Sequence, residues 1–224
     1  MATFAIISQQ SNNGAISPLG TTNVTSGQEQ DYTVTPATGY QIDSVWVDGV
    51  NQGAIPTYSF LDVLATHTIV ALFTPASGYY CTQQDLINMV GMARLAQISN
   101  DVANATVPDP VIVMDKIAEA WNYLNAELDG TFTVPLAPTP GIVQDISVKV
   151  AIYNLFLRKF SIMQMPKEWA TKYLEVVGDK NNPGQIERLK TGDLGLDDTL
   201  YPAISPMAEI KQHHRIHGID MRNF

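Results

Sequence analysis

Between Thr3 and Phe73 apolar and polar residues alternate in short runs separated by turn residues, a pattern that predicts short β-strands. Tyr32 and Val34 alternate with Thr33 and Thr35 until Pro36 and Gly39 end the run. Ile42 to Val47 predicts the next strand, and Asp48-Gly49 behind it suits a hairpin turn that Asn51-Gln52-Gly53 extends. A last strand from about His67 to Phe73 places Ile69, Ala71 and Phe73 on one face. Trp46, Tyr58 and Phe60 are the large core candidates of this part. Thr74-Pro-Ala-Ser-Gly78 stops the strand and reads as a linker.

Beyond Gly78 the period lengthens to three and four. Thr82 predicts an N-cap with Asp85 as the acidic half of a capping box, opening a helix through Leu86, Ile87, Met89 and Val90 to about Gly91. Ser99 to Pro108 reads as a polar loop, and Asp109-Pro110 as a helix start, since Asp caps and Pro fits the first turn. Met114, Ile117, Ala118, Trp121, Leu124, Asn125 and Leu128 then recur on one face until Gly130. Val134-Pro-Leu-Ala-Pro-Thr-Pro140 holds three prolines in six residues and predicts extended chain. The helix from Ile142 to about Phe160 is apolar on more than one side, which predicts a central position or a contact with a neighbouring subunit. Pro166 opens a helix with Trp169, Ala170, Tyr173, Leu174 and Val177 on one face, and Pro183 to Lys190 predicts a short final one. Trp46, Trp121, Leu124, Ile146, Val150 and Trp169 are the expected structural core.

The expected fold is therefore two domains: a small all-β (Ig-like or grasp-like) domain over residues 1–74, a linker at 75–78, an all-α domain over 79–197, and an extended C-terminal arm over 198–224. Charge follows the same division. All thirteen Lys and Arg lie at or beyond Arg94, while Glu29, Asp31, Asp43, Asp48 and Asp62 precede it. A net charge of −9 argues against tight binding to DNA or to an anionic membrane. No apolar run approaches the ~20 residues that span a bilayer, and the start, with no basic residue before a short apolar patch, does not read as a secretory signal. A single cysteine, Cys81, excludes an internal disulfide and fits assembly in a reducing cytosol.

Two resemblances are carried by ordered residues. Gly14-Ala-Ile-Ser-Pro-Leu-Gly20, Tyr32-Thr-Val-Thr-Pro36, Gly39-Tyr-Gln-Ile-Asp-Ser-Val-Trp-Val-Asp-Gly49, Tyr58-Ser-Phe60 and His67-Thr-Ile69 together resemble the divergent internalin-type B repeat, a β-module of about 70 residues. That family serves as a spacer or interaction module on bacterial surface proteins and brings no catalytic residues.

The second segment is similar to the small helical head–tail connector (adaptor or head-completion) proteins of tailed phages. Tyr80-Cys-Thr-Gln-Gln-Asp-Leu86, Ile117-Ala-Glu-Ala-Trp-Asn-Tyr-Leu-Asn-Ala-Glu-Leu-Asp-Gly130, the Val134–Pro140 break, Lys149-Val-Ala-Ile-Tyr-Asn-Leu-Phe156 and Ile186-Glu-Arg-Leu-Lys-Thr-Gly-Asp-Leu-Gly-Leu196 carry it. The loop Asn100–Pro108 departs from it in lacking Asp/Gly-rich character, and the helix from Pro166 is less charged than in the family. The resemblance implies a structural virion protein at the neck, assembled in the host cytoplasm. It implies a homo-oligomeric ring, commonly of about twelve copies, beneath the portal protein, docking the tail or a tail-completion protein, with DNA only passing through the lumen and no membrane contact. A portal-binding arm would then comprise Met207, Ile210, His213, His214, Arg215, Ile216, Ile219, Arg222 and Phe224.

No catalytic residues, metal site or cofactor are expected: the chain carries no P-loop, Gly-x-Ser-x-Gly, His-Glu-x-x-His or paired-cysteine motif. Cys81 reads as a small buried hydrophobe rather than a nucleophile. Asp43, Asp48 and Asp62 read as turn carboxylates, since their spacing fits no calcium loop. His213, His217 and Asp220 could share a helical face as half a metal site, with a polar contact arm the simpler reading. The rival to a connector is an adhesin or surface-binding module that uses the β-domain.

Overall fold

The computed structural model describes residues 1–160 and 165–196. Eight strands come first: β1 Thr3–Gln10, β2 Gly14–Ser17, β3 Gly20–Thr25, β4 Gln30–Pro36, β5 Tyr40–Val47, β6 Val50–Asn51, β7 Thr57–Phe60 and β8 His67–Pro75. They form a five-stranded sheet in the order β3-β1-β8-β5-β6 and a three-stranded sheet in the order β2-β4-β7. All pairings are antiparallel except β1 with β8. Period-two alternation turns Ile6, Val45, Val47, Ile69, Ala71 and Phe73 of the first sheet toward Ile16, Tyr32, Val34 and Phe60 of the second, and these residues form one buried cluster. Gly14 is fixed by that packing, because a Cβ there would lie 2.3 Å from Cζ of the Phe73 ring.

Six helices follow among the described residues: α1 Gln83–Val90, α2 Met92–Ser99, α3 Pro110–Leu128, α4 Gly141–Lys159, α5 Lys167–Val177 and α6 Gln185–Lys190. The Thr82 hydroxyl accepts from the Asp85 N–H while the Asp85 carboxylate accepts from the Thr82 N–H, closing the capping box of α1. Asp109 caps α3 by accepting from the N–H groups of Val111 and Ile112. α4 buries Val143, Ile146, Val148, Val150, Ile152, Leu155 and Phe156, residues that point in several directions around its axis. It packs against α1, α2, α3 and α5, so it is the centre of the second buried cluster.

Two expectations change. The helix α2 occupies Met92–Ser99, where the sequence suggested the end of one helix and the approach to a loop; a break at Gly91 separates it from α1. More broadly, the fold is mixed α/β: strands up to Pro75 precede six helices, an order compatible with two domains, but the expected all-α second domain does not hold, because the C-terminal region is not plainly all-α. It contains a parallel bridge Asp129–Phe132 and an antiparallel bridge Gly178–Pro183. The cause is local. Proline at 135, 138 and 140 denies the chain helical hydrogen bonds after α3. At the second bridge Gly178 and Gly184 meet backbone to backbone, a Cβ on Gly178 falling 2.4 Å from the Gly184 nitrogen. The expected C-terminal arm lies outside the described residues.

Candidate functional site

The chain has two places where its chemistry converges: the seam between the sheet and α3, and the outer surface of α3, α4 and α5. At the seam, β8 is covered on both faces. Phe73 is fully buried inward, and Leu72, on the opposite face, is only 4% exposed because α3 packs against that strand. The backbone N–H of Asn12 donates to Oδ1 of Asp115 at 3.1 Å, and the Tyr79 hydroxyl donates to the Phe73 carbonyl at 3.4 Å. Burial raises the Asp115 carboxyl above its ordinary range, with the Asn12 N–H and Lys116 only partly opposing it.

Tyr80 joins the seam to the helices. Its hydroxyl donates to Oδ1 of Asn125 on α3 and accepts from the Leu136 N–H, 2.9 Å away in the proline segment. One phenol thus ties the extended break to the helix before it. Beside it, Cys81 is buried and accepts from the Ser147 hydroxyl at 3.3 Å; burial pushes its thiol up to about 12, so it is protonated at neutral pH.

On the outer surface, the rings of Tyr153 and Tyr173 stack at 3.7 Å and 3°. Tyr123 and Glu127 of α3 lie beside Tyr173, and burial raises the Tyr123 hydroxyl to about 12. Leu174, which follows Tyr173 in α5, is 51% exposed.

The core candidates separate into two groups. Leu124, Ile146, Val150 and Trp169 are buried, whereas Trp46 and Trp121 are half-buried. Trp46 lies on the outer face of its sheet, and Trp121 packs beside Tyr79 and Tyr80. Of the three aspartates expected in turns, Asp43 lies within β5 instead, and each has its own surroundings. Asp48 accepts from the Thr68 N–H and pairs with His67 at 2.7 Å; burial opposes its ionisation, but these bonds outweigh it and hold the carboxyl below its usual value. Asp43 accepts from the Ser44 hydroxyl, and Asp62 is exposed. Among the described residues no group of three or more His, Cys, Asp or Glu could hold a metal ion. The arm residues Met207, Ile210, His213, His214, Arg215, Ile216, Ile219, Arg222 and Phe224, with His217 and Asp220, lie outside the described residues.

Neither the seam nor the tyrosine cluster was legible as a unit. Asn12 and Asp115 are 103 positions apart, and the three tyrosines belong to three helices, so only α3–α4–α5 packing assembles them. No helix is long and apolar enough to cross a membrane among the described residues.

No curated protein matches the chain. Residues 80–179 match the model of the family described as Bacteriophage Mu, Gp36. The matched stretch runs from Tyr80 through the proline break and the central helix to the end of α5, and by this similarity the chain is a phage protein.

Proposed function

We propose that the protein is a non-catalytic structural component of the virion, a head–tail connector that forms a ring under the portal, extends the DNA channel and docks the tail or its completion protein. The observation that carries the reading is the match of residues 80–179 to a phage family. The tyrosine cluster supports it: half-buried aromatic side chains spread over three helices, with an exposed leucine following one of them in α5, have the composition of subunit interfaces. A net charge of −9 suits a lumen through which DNA slides without adhering. In this reading the ring sits at the neck after assembly in the host cytoplasm, and residues 198–224 reach the portal. The β-part lies outside the ring.

The test is electron microscopy of the full chain mixed with its portal, alongside a mass measurement of the chain alone. A ring capping the portal is expected. Free monomer beside undecorated portals would overturn the reading.

A further inference from the structure

The seam encloses a cleft of about 390 Å³, within the span of about 300–1,000 Å³ typical of small-ligand pockets. One wall is the outer face of β5. The pairing of β5 with β8 slips between Ile42 and Ser44, a β-bulge at Asp43. In a regular strand neighbours point to opposite faces; the extra residue lets Asp43, Ser44 and Trp46 all line the same cleft. They are also tied together. The Trp46 indole N–H donates to the Ser44 hydroxyl at 3.0 Å, and that hydroxyl donates to Oδ2 of Asp43 at 2.8 Å. The indole is thereby oriented with its polar atom satisfied, and Asp43 keeps Oδ1 as an acceptor.

The remaining polar side chains are the hydroxyls of Thr74, Tyr79 and Thr82, the Cys81 thiol and the amides of Asn51, Gln83 and Gln84, of which Asn51 and Gln83 have groups left to offer. Asn51 uses its Oδ1 to accept from the Gly53 N–H, which leaves its NH₂ as a donor. Gln83, on the first turn of α1, makes no side-chain hydrogen bond among the described residues and offers both a donor and an acceptor. No Lys or Arg lines the cleft, and none precedes Arg94 in the chain, so an anion would face an uncompensated carboxylate. A cation would satisfy Asp43 but would set its donors against the Asn51 NH₂. Neighbouring hydroxyls on a carbon ring satisfy both kinds of group, donating to Asp43 and Gln83 and accepting from Asn51 and Gln83, while ring C–H groups cover an indole.

We propose that this cleft is a binding site for a neutral saccharide, with Trp46 as the stacking platform and Asp43, Asn51 and Gln83 as the hydroxyl-reading groups. The site is independent of ring formation and would add a surface-recognition role to the β-part.

The full chain is titrated by calorimetry and by amide chemical-shift mapping with maltohexaose, cellohexaose and chitohexaose. Saturable binding of at least one, with shifts clustered at residues 43–51 and 82–84, is expected. Asp43→Ala and Asn51→Ala, both at exposed positions, should each weaken it about tenfold; Trp46→Ala should abolish it. Should Trp46→Ala fail to fold, the two exposed variants still decide the matter. No binding of any of the three sugars, or binding that survives both exposed variants, overturns the proposal. So does an arginine-rich peptide that binds the cleft in an Asp43-dependent manner when the sugars do not.

Discussion

Asn12 and Asp115 meet across the seam, the backbone N–H of one donating to the carboxylate of the other at 3.1 Å. Burial raises the Asp115 carboxyl, so the folded state holds its proton more tightly than the unfolded chain does. Stability from this group is greatest below the unfolded carboxylate value and falls as pH rises through the raised folded value. Asp115→Asn keeps the acceptor and removes the titration. Urea unfolding from about pH 4 to 7 should show a flatter stability profile for this variant, with no loss at neutral pH. Asp115→Ala should fall about 0.5–1 kcal/mol below the asparagine variant, because the Asn12 N–H loses its partner. A steeper profile for Asp115→Asn than for the native chain would contradict the burial argument.

Tyr80→Phe should cost about 1–3 kcal/mol, because the buried Leu136 N–H loses its acceptor and Asn125 its donor. The loss should be local at first. Hydrogen exchange at Leu136 should speed up by a larger factor than at Leu124 in the middle of α3, and equal acceleration at both would refute the lock.

Gly14→Ala places a methyl against the Phe73 ring, which is fully buried and has little room to move. A cost of about 1–3 kcal/mol is expected from overpacking. The double variant Gly14→Ala with Phe73→Leu should recover part of it; additive losses in denaturant melts would show that the contact does not matter.

Tyr173→Ala should leave the helical circular dichroism of the chain unchanged while weakening self-association at least about tenfold, if the stacked pair is a subunit contact. Sedimentation velocity over a concentration series measures this. An unchanged mass distribution would remove the tyrosine cluster from the assembly surface.

The strands that could be read in advance were those with one apolar phase, such as Tyr32 and Val34 in β4. Trp46 shows the limit. Val45 and Val47 are buried at 0% and 6%, so the strand offers apolar residues in both phases, and size alone points to the wrong one. The helix α2 leaves little trace in the sequence, because Gly91 gives it no side-chain cap and it spans only eight residues. The departures from helix in the C-terminal region are two single-residue bridges and glycine backbones in contact, features too short to leave a periodic trace. The bulge at Asp43 that builds the cleft is equally silent, since one inserted residue changes neither composition nor turn chemistry.

The parallel pairing of β1 with β8 has a consequence for the order of events during synthesis. Of the strands in the five-stranded sheet, β1 is synthesised first yet lies in its interior, between β3 and β8, and its second neighbour is the last of them to be made. Until residue 75 has emerged, the nascent chain presents an unpaired apolar edge at Ile6 and Ile7 that β3 covers on one side only. A message cut short anywhere before β8 would therefore yield a sticky fragment rather than a smaller working module, and removing the first ten residues would split the sheet in two.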